Sequence, residues 1–164
     1  MRVVVADASS LILMAKTSIL GTYGAHVSLL IPSQAFAEVA SPRLRKVHPD
    51  ARLIARTVDD GLVQVRSVRS RRKLPLSLGA GEAATVRLFD EAKADLVLSD
   101  DGRAIRVCRL LGIPFTTTPR VVVDLVSSKA LGRGDGRRAL EKLAVLGRYA
   151  PEIIAAALAA LEEN

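Results

Sequence analysis

Leu96-Val97-Leu98-Ser99-Asp100-Asp101-Gly102-Arg103 is a short apolar run that ends abruptly in two adjacent carboxylates. Ile105, Val107, Cys108, Leu110 and Leu111 follow at helical spacing, and Gly112 stops them. A run this short and this apolar fits a strand buried on both faces of a parallel sheet. The chain opens the same way. Val3-Val4-Val5-Ala6-Asp7 leads into Leu11, Ile12, Ala15, Ile19 and Leu20, with Gly21 and Gly24 as the expected stop. Two buried strands each deliver an acid at the carboxyl end, where open α/β sheets bind ligands.

Strands and helices alternate through the rest of the chain. Residues 27–31 read as a strand closed by Pro32. Ser33 reads as the cap of a short helix that carries Glu38 and breaks at Ser41-Pro42. Residues 43–60 are more polar and helical after Pro49, with Leu53, Ile54 and Val58 as the apolar face. A strand over 62–65 leads into the most basic run, where Arg66, Arg69, Arg71, Arg72 and Lys73 precede Pro75 in an aperiodic loop. Gly79-Ala80-Gly81-Glu82 then opens a helix reaching about residue 94. Residues 113–116 form a last strand and 121–130 a helix. Gly132-Arg133-Gly134-Asp135-Gly136 reads as a flexible joint before helices over 137–146 and 151–162.

This alternation implies right-handed crossovers and a three-layer α/β/α sandwich around a mainly parallel sheet of about five strands, plus C-terminal helices. The expected division is a domain over residues 1–130 and a helical extension over 131–164 packed on it. A chain of 164 residues is long enough for one real core. Aromatics make up only 3%, so Val, Leu, Ile and Ala must build that core. Three Phe and two Tyr cannot supply a base-stacking platform. A net charge of +7 suits a polyanionic partner such as nucleic acid, and equally a well-solvated basic surface.

Cys108 is the only cysteine, so an intrachain disulfide and a cysteine-rich zinc site are both excluded. Its helical apolar setting marks a buried structural thiol. His26 and His48 share no metal-ligand spacing. No apolar run approaches the roughly 20 residues of a membrane span, and no secretion signal is read at the N-terminus. The expectation is a cytoplasmic protein with no membrane partner.

Each acid has a structural explanation of its own. Asp7, Asp100 and Asp101 suit helix N-caps, Glu82 suits a first helical turn, and Glu38 suits a solvated helix face. Together they suit something else. Several carboxylates in one cleft repel unless a cation sits between them, and Mg²⁺ or Mn²⁺ takes such oxygen ligands. An acidic pocket on a basic surface is what a metal-dependent nuclease needs.

Three stretches resemble the PIN-domain family of metal-dependent ribonucleases, and within it the VapC-like toxins of prokaryotic toxin–antitoxin pairs. They are Val3-Val4-Val5-Ala6-Asp7-Ala8-Ser9-Ser10, Leu78-Gly79-Ala80-Gly81-Glu82-Ala83-Ala84, and Asp95-Leu96-Val97-Leu98-Ser99-Asp100-Asp101 with Arg103 and Leu111-Gly112-Ile113. The resemblance implies Asp7, Glu82 and Asp100 as catalytic metal ligands, with Asp101 sharing or taking the role of Asp100. It implies Mg²⁺ or Mn²⁺ as cofactor and RNA as substrate. Glu38 matches loosely an acid that many members place in an early helix. Where the family often has a late acid, this chain has Thr116-Thr117-Thr118, and Asp124 lies further on inside a helix.

The implied reaction is hydrolysis of an RNA phosphodiester, with Glu82 or an Asp accepting the proton of the attacking water. Arg69, Arg71, Arg72, Lys73 and Arg103 are the candidate RNA-backbone contacts. The expected partners are RNA, a small antitoxin that blocks the site, and a second copy in a homodimer. The Ala-rich last helix is either a partner surface or part of the core. A non-catalytic RNA-binding or assembly PIN domain is the alternative function. A phosphoacceptor receiver domain fits less well, because the acids fall in the first and fourth strands rather than the first and the middle one.

Overall fold

The computed structural model describes residues 1–163. Strand β1 (Val3–Ala6) feeds α1 (Ala8–Lys16) and α2 (Leu20–His26); β2 (Ser28–Pro32) feeds α3 (Ser33–Ala40), α4 (Pro42–Val47) and α5 (Pro49–Asp59). After β3 (Val63–Arg66) a long loop leads to α6 (Ala80–Ala92), β4 (Leu96–Leu98), α7 (Gly102–Leu111) and β5 (Phe115–Thr116). Helices α8 (Thr118–Ser127), α9 (Arg133–Leu146) and α10 (Pro151–Glu162) complete the order.

All five strands are parallel, in the order β3-β2-β1-β4-β5. Val5 of β1 lies between Leu30 of β2 and Val97 of β4. The period of two in a strand sends alternate side chains to opposite layers. Val4, Ala6, Leu29, Ile31 and Leu98 join one apolar cluster with α1, α2, α3, α5 and the C-terminal helices. Val5 and Leu30 pack on Leu88 of α6, and Val97 packs with Val86, Val107 and Cys108. These faces make the three-layer α/β/α sandwich that the sequence predicts. Leu140, Leu143, Ile154, Ala157 and Leu161 belong to the same cluster as β1.

The topology fixes where a site can form. The chain runs from β1 outward to β2 and β3, then crosses to the other side of β1 as β4 and β5. The strand order therefore reverses between β1 and β4, and the crevice beyond their carboxyl ends is the switch point. Asp7 and Asp100 follow those two ends.

Several local expectations need correction. Gly21 and Gly24 do not stop the first helix; they lie inside α2. The break comes at Ser18, whose φ of 62° is left-handed and turns the chain between α1 and α2. Ser33 is the first residue of α3 rather than its cap, because Pro32 takes the extended cap position. Pro42 at the start of α4 opens an additional helix before α5, since proline suits a first helical turn. Leu53 points outward at 37% exposure, while Ile54 is fully buried.

The glycine-rich 132–136 segment is not a joint. Gly134 and Gly136 lie in α9. A Cβ on Gly136 would stand 2.6 Å from Cγ2 of Val126, so the missing side chain is what lets α9 close on α8.

Candidate active site

Asp7 is the N-cap of α1, as the sequence allows. Its Oδ1 accepts the Ser10 N–H at 2.9 Å and its Oδ2 accepts the Ser99 hydroxyl at 2.5 Å. The side chain is only 2% exposed. Burial pushes its pKa up to about 6; the hydrogen bonds from Ser99 and Ser10 oppose this, and the Asp100 charge adds to it. A cap needs no such burial. Asp7 is therefore a carboxylate held ionised at neutral pH at a cost, close to a second acid.

Asp100 is that second acid. Its Oδ2 accepts from Ser10 Oγ at 2.7 Å and from Thr118 Oγ1 at 2.5 Å. Its Oδ1 accepts from the Thr118 N–H at 2.9 Å and from the Tyr149 hydroxyl at 2.6 Å. These four donors match the roughly four lone-pair sites of a carboxylate. Ser10 donates its amide to Asp7 and its hydroxyl to Asp100, tying the two together.

Asp101 goes another way. Its Oδ2 accepts the Ala104 N–H at 2.9 Å and caps α7, while its own N–H donates to Ser99 Oγ at 3.1 Å. The adjacent pair thus divides its work: Asp100 faces Asp7, and Asp101 starts a helix.

Glu82 and Glu38 form a second acidic pair. Glu82 lies in the first turn of α6 and folds back over Gly79, so closely that a Cβ there would collide with its carboxylate. Glu38, on α3, sits over Gly81. A Cβ on Gly81 would meet its oxygens at 2.7 and 2.8 Å. The two glycines leave the room that lets both carboxylates approach the helix start. Glu38 is exposed, yet partial desolvation first and the Glu82 charge second raise its pKa, while the Gly81 N–H favours the charged form.

Of the predicted metal set, Asp7 and Asp100 therefore form one pair, Glu82 pairs with Glu38 outside the set, and Asp101 stands apart as the cap of α7. Among the described residues no group of three or more Asp, Glu, His or Cys is gathered closely enough to hold a metal ion. The donors nevertheless fit a hard divalent cation in kind. They are carboxylate oxygens in like-charged pairs, and Mg²⁺ needs only one or two of them because it keeps several waters. Asp124 stands apart, ion-paired with Arg120 at 2.9 Å on the exposed side of α8. Thr118, fully buried, is the residue that follows β5 into the site.

The basic residues divide similarly. Arg103 is exposed in the first turn of α7, next to Asp101. Arg69, Arg71, Arg72 and Lys73 are exposed too, but their loop is fastened to the far end of α6. The Arg69 and Ser70 amides donate to Glu91, and Arg72 pairs with Asp90 at 2.6 Å. At 1.5 Å per helical residue, those anchors stand about 12 Å along α6 from Glu82. The loop is a fixed basic surface on the α6 flank rather than a rim of the acids.

Sequence reasoning gave no role to Ser10, Ser99 and Tyr149, while Thr118 stood out as part of the Thr116-Thr117-Thr118 run in the place of a late acid. The serines had a signal, since each lies beside an acid in a strand-end motif. Tyr149 had none: it reaches Asp100 across 49 residues, from the turn between α9 and α10.

Asp7 and Asp100 at the ends of β1 and β4, and Glu38 and Glu82 on α3 and α6, thus lie as two acidic pairs around an all-parallel α/β/α sheet. The chain belongs to the PIN-domain family DUF3368, whose sequence profile matches residues 3–163. PIN domains are in general metal-dependent nucleases, which places the protein among hydrolases that act on nucleic acid. A search of curated proteins finds no match. Among the described residues no helix is long and apolar enough to cross a membrane.

Proposed function

We propose that the protein is a Mg²⁺- or Mn²⁺-dependent endoribonuclease and the toxin of a toxin–antitoxin pair, working in the cytoplasm. The observation that carries the nuclease reading is the convergence of Asp7 and Asp100 through Ser10 at the switch point. Asp7, Asp100 and Glu82, joined by Glu38, are the residues that would hold the cation. A bound divalent cation supplies Lewis acidity and lowers the pKa of a water. The chain's own residues do the rest. Ser10, Ser99 and Thr118 fix the Asp7 and Asp100 carboxylates in orientation. Glu38, exposed on α3 and raised in pKa by partial desolvation and by the Glu82 charge, accepts a proton at its carboxylate. Arg103 meets the backbone near the acids, and Arg69, Arg71 and Lys73 meet it further along.

The toxin role rests on the resemblance of the strand-end and glycine–glutamate motifs to VapC-like proteins. It supplies a test of its own: a partner that offers a basic side chain to Asp100 should block cleavage. Val145, 84% exposed on α9, and Ile153, 49% exposed on α10, support a surface for that antitoxin or for a second copy in a homodimer.

The deciding experiment is cleavage of single-stranded RNAs of varied sequence with Mg²⁺ or Mn²⁺, comparing wild type with Asp7→Asn and Asp100→Asn. Metal-dependent cleavage that both variants lose by at least about a hundredfold supports the reading. A second reading, a non-catalytic RNA-binding domain, is favoured by the pairwise spread of the acids. RNA binding without any metal-dependent, mutation-sensitive cleavage would establish it instead.

A further inference from the structure

We propose that the cavity between α1 and the α9–α10 turn is a ribonucleotide subsite in which Asp101 reads the 2′-hydroxyl; the proposal rests on the nuclease reading for its place beside the acids. The cavity is about 360 Å³, within the range of small-ligand pockets. Ile12, Leu13 and Leu146 supply apolar walls, Asp101 and Asp100 line it on the β4 side, and Arg148 and Tyr149 close the turn side.

The lining specifies its ligand. Asp100 is assigned to the cation and is already oriented by four donors, so Asp101 is the carboxylate left for an organic ligand. Asp101 spends only Oδ2, on the Ala104 N–H, and its other oxygen is left to accept. A carboxylate takes a hydroxyl or an amine and repels a phosphate. Arg148 is exposed and makes no ion pair among the described residues, so it is the group that takes a phosphate. A ribonucleotide meets all three: a base face for the apolar walls, a donating 2′-hydroxyl and a phosphate. Acidic side chains accept from ribose 2′-hydroxyls in the same way in dinucleotide-binding folds. That hydroxyl is what separates RNA from DNA.

The turn is shaped for the purpose. Gly147 has no side chain, and the Tyr149 ring occupies the space where one would be. The ring is thereby held with its hydroxyl on Asp100, and both residues line the cavity. The C-terminal helices thus contribute a wall of the site.

The test is binding of adenosine 5′-monophosphate and its 2′-deoxy analogue to the full chain, followed by NMR of the Ile12 and Leu13 methyl groups. Wild type should bind the ribonucleotide about tenfold more tightly than the deoxy analogue, as expected for one hydrogen bond to a charged acceptor. Asp101→Asn should bring the two within about twofold; asparagine caps helices as well as aspartate, so the fold is kept. Arg148→Ala should weaken both equally. Equal affinities in wild type, a ratio unchanged in Asp101→Asn, or unmoved Ile12 and Leu13 signals each overturn the proposal. So does a calorimetric titration in which Asp101→Asn abolishes Mn²⁺ binding while the ratio stays. If the nucleotide preference holds and no RNA is cleaved, the subsite stands and the nuclease reading falls. If Asp7-dependent cleavage is found without the preference, the reverse is true.

Discussion

Asp7 has a stability cost that a helix cap alone would not explain. It is 2% exposed, and its pKa is pushed up to about 6 from 3.8. A shift of that size corresponds to about 3 kcal/mol spent on keeping the charge at neutral pH. Asp7→Asn should therefore fold more stably than wild type above pH 7 by up to that amount in chelator-treated protein, while losing activity. Urea titrations at pH 4 and pH 7.5 check this, and a gap that does not grow with pH would refute it. Cys108 is the opposite case. Burial pushes its thiol up to about 11, so a maleimide should label it only in denaturant. Both residues were legible in the sequence, one at a strand end and one in an apolar helical stripe. Glu38 was only half legible, because an acid on a short helix looks the same whether solvated or facing Glu82. Tyr149 was not legible at all. Its role depends on how α9 and α10 fold back, and no local pattern encodes that.

Elements were read best where periodicity was strong and worst where glycine carried the signal. The alternation of apolar runs gave β1, β2 and β4 to within about a residue or two, the usual uncertainty of element ends. Gly134 and Gly136 misled, because glycine's local preference for a joint lost to the packing of α9 on α8. Gly136→Ala makes that packing measurable. The new methyl would meet the β-branched, stiff side chain of Val126 at 2.6 Å. Overpacking of this kind costs about 1–3 kcal/mol, which exceeds the gain in helix propensity of roughly 1 kcal/mol. A melting temperature lowered by several degrees is expected, with acid geometry and nucleotide binding intact. Gly81→Ala should do the reverse. Its Cβ would meet the end of a flexible glutamate, so the fold yields easily while Glu38 is displaced. Cleavage should fall with little change in the melting transition.

At the scale of the whole molecule, the parallel order β3-β2-β1-β4-β5 brings the buried Asp7 charge to the carboxyl end of the central strand, beside Asp100 at the switch point. The sequence made a mainly parallel sheet legible. It did not give the strand order, which depends on the crossover after β3 and not on any one strand. That placement links metal, pH and stability. Since the folded-state pKa of Asp7 is raised, its contribution to stability is complete below about pH 4 and is lost as pH climbs through 6. Glu38, also raised, acts in the same direction. A divalent cation bound to the deprotonated acids returns what their ionisation removes, by mass action on the folded state. Mn²⁺ should therefore raise the melting temperature at pH 7.5 by several degrees and have little effect at pH 5, where protons compete for the same oxygens. Asp7→Asn should abolish the pH 7.5 shift. An equal Mn²⁺ shift at both pH values, or one that survives in Asp7→Asn, would place cation binding away from the switch point and remove the acids' claim to it.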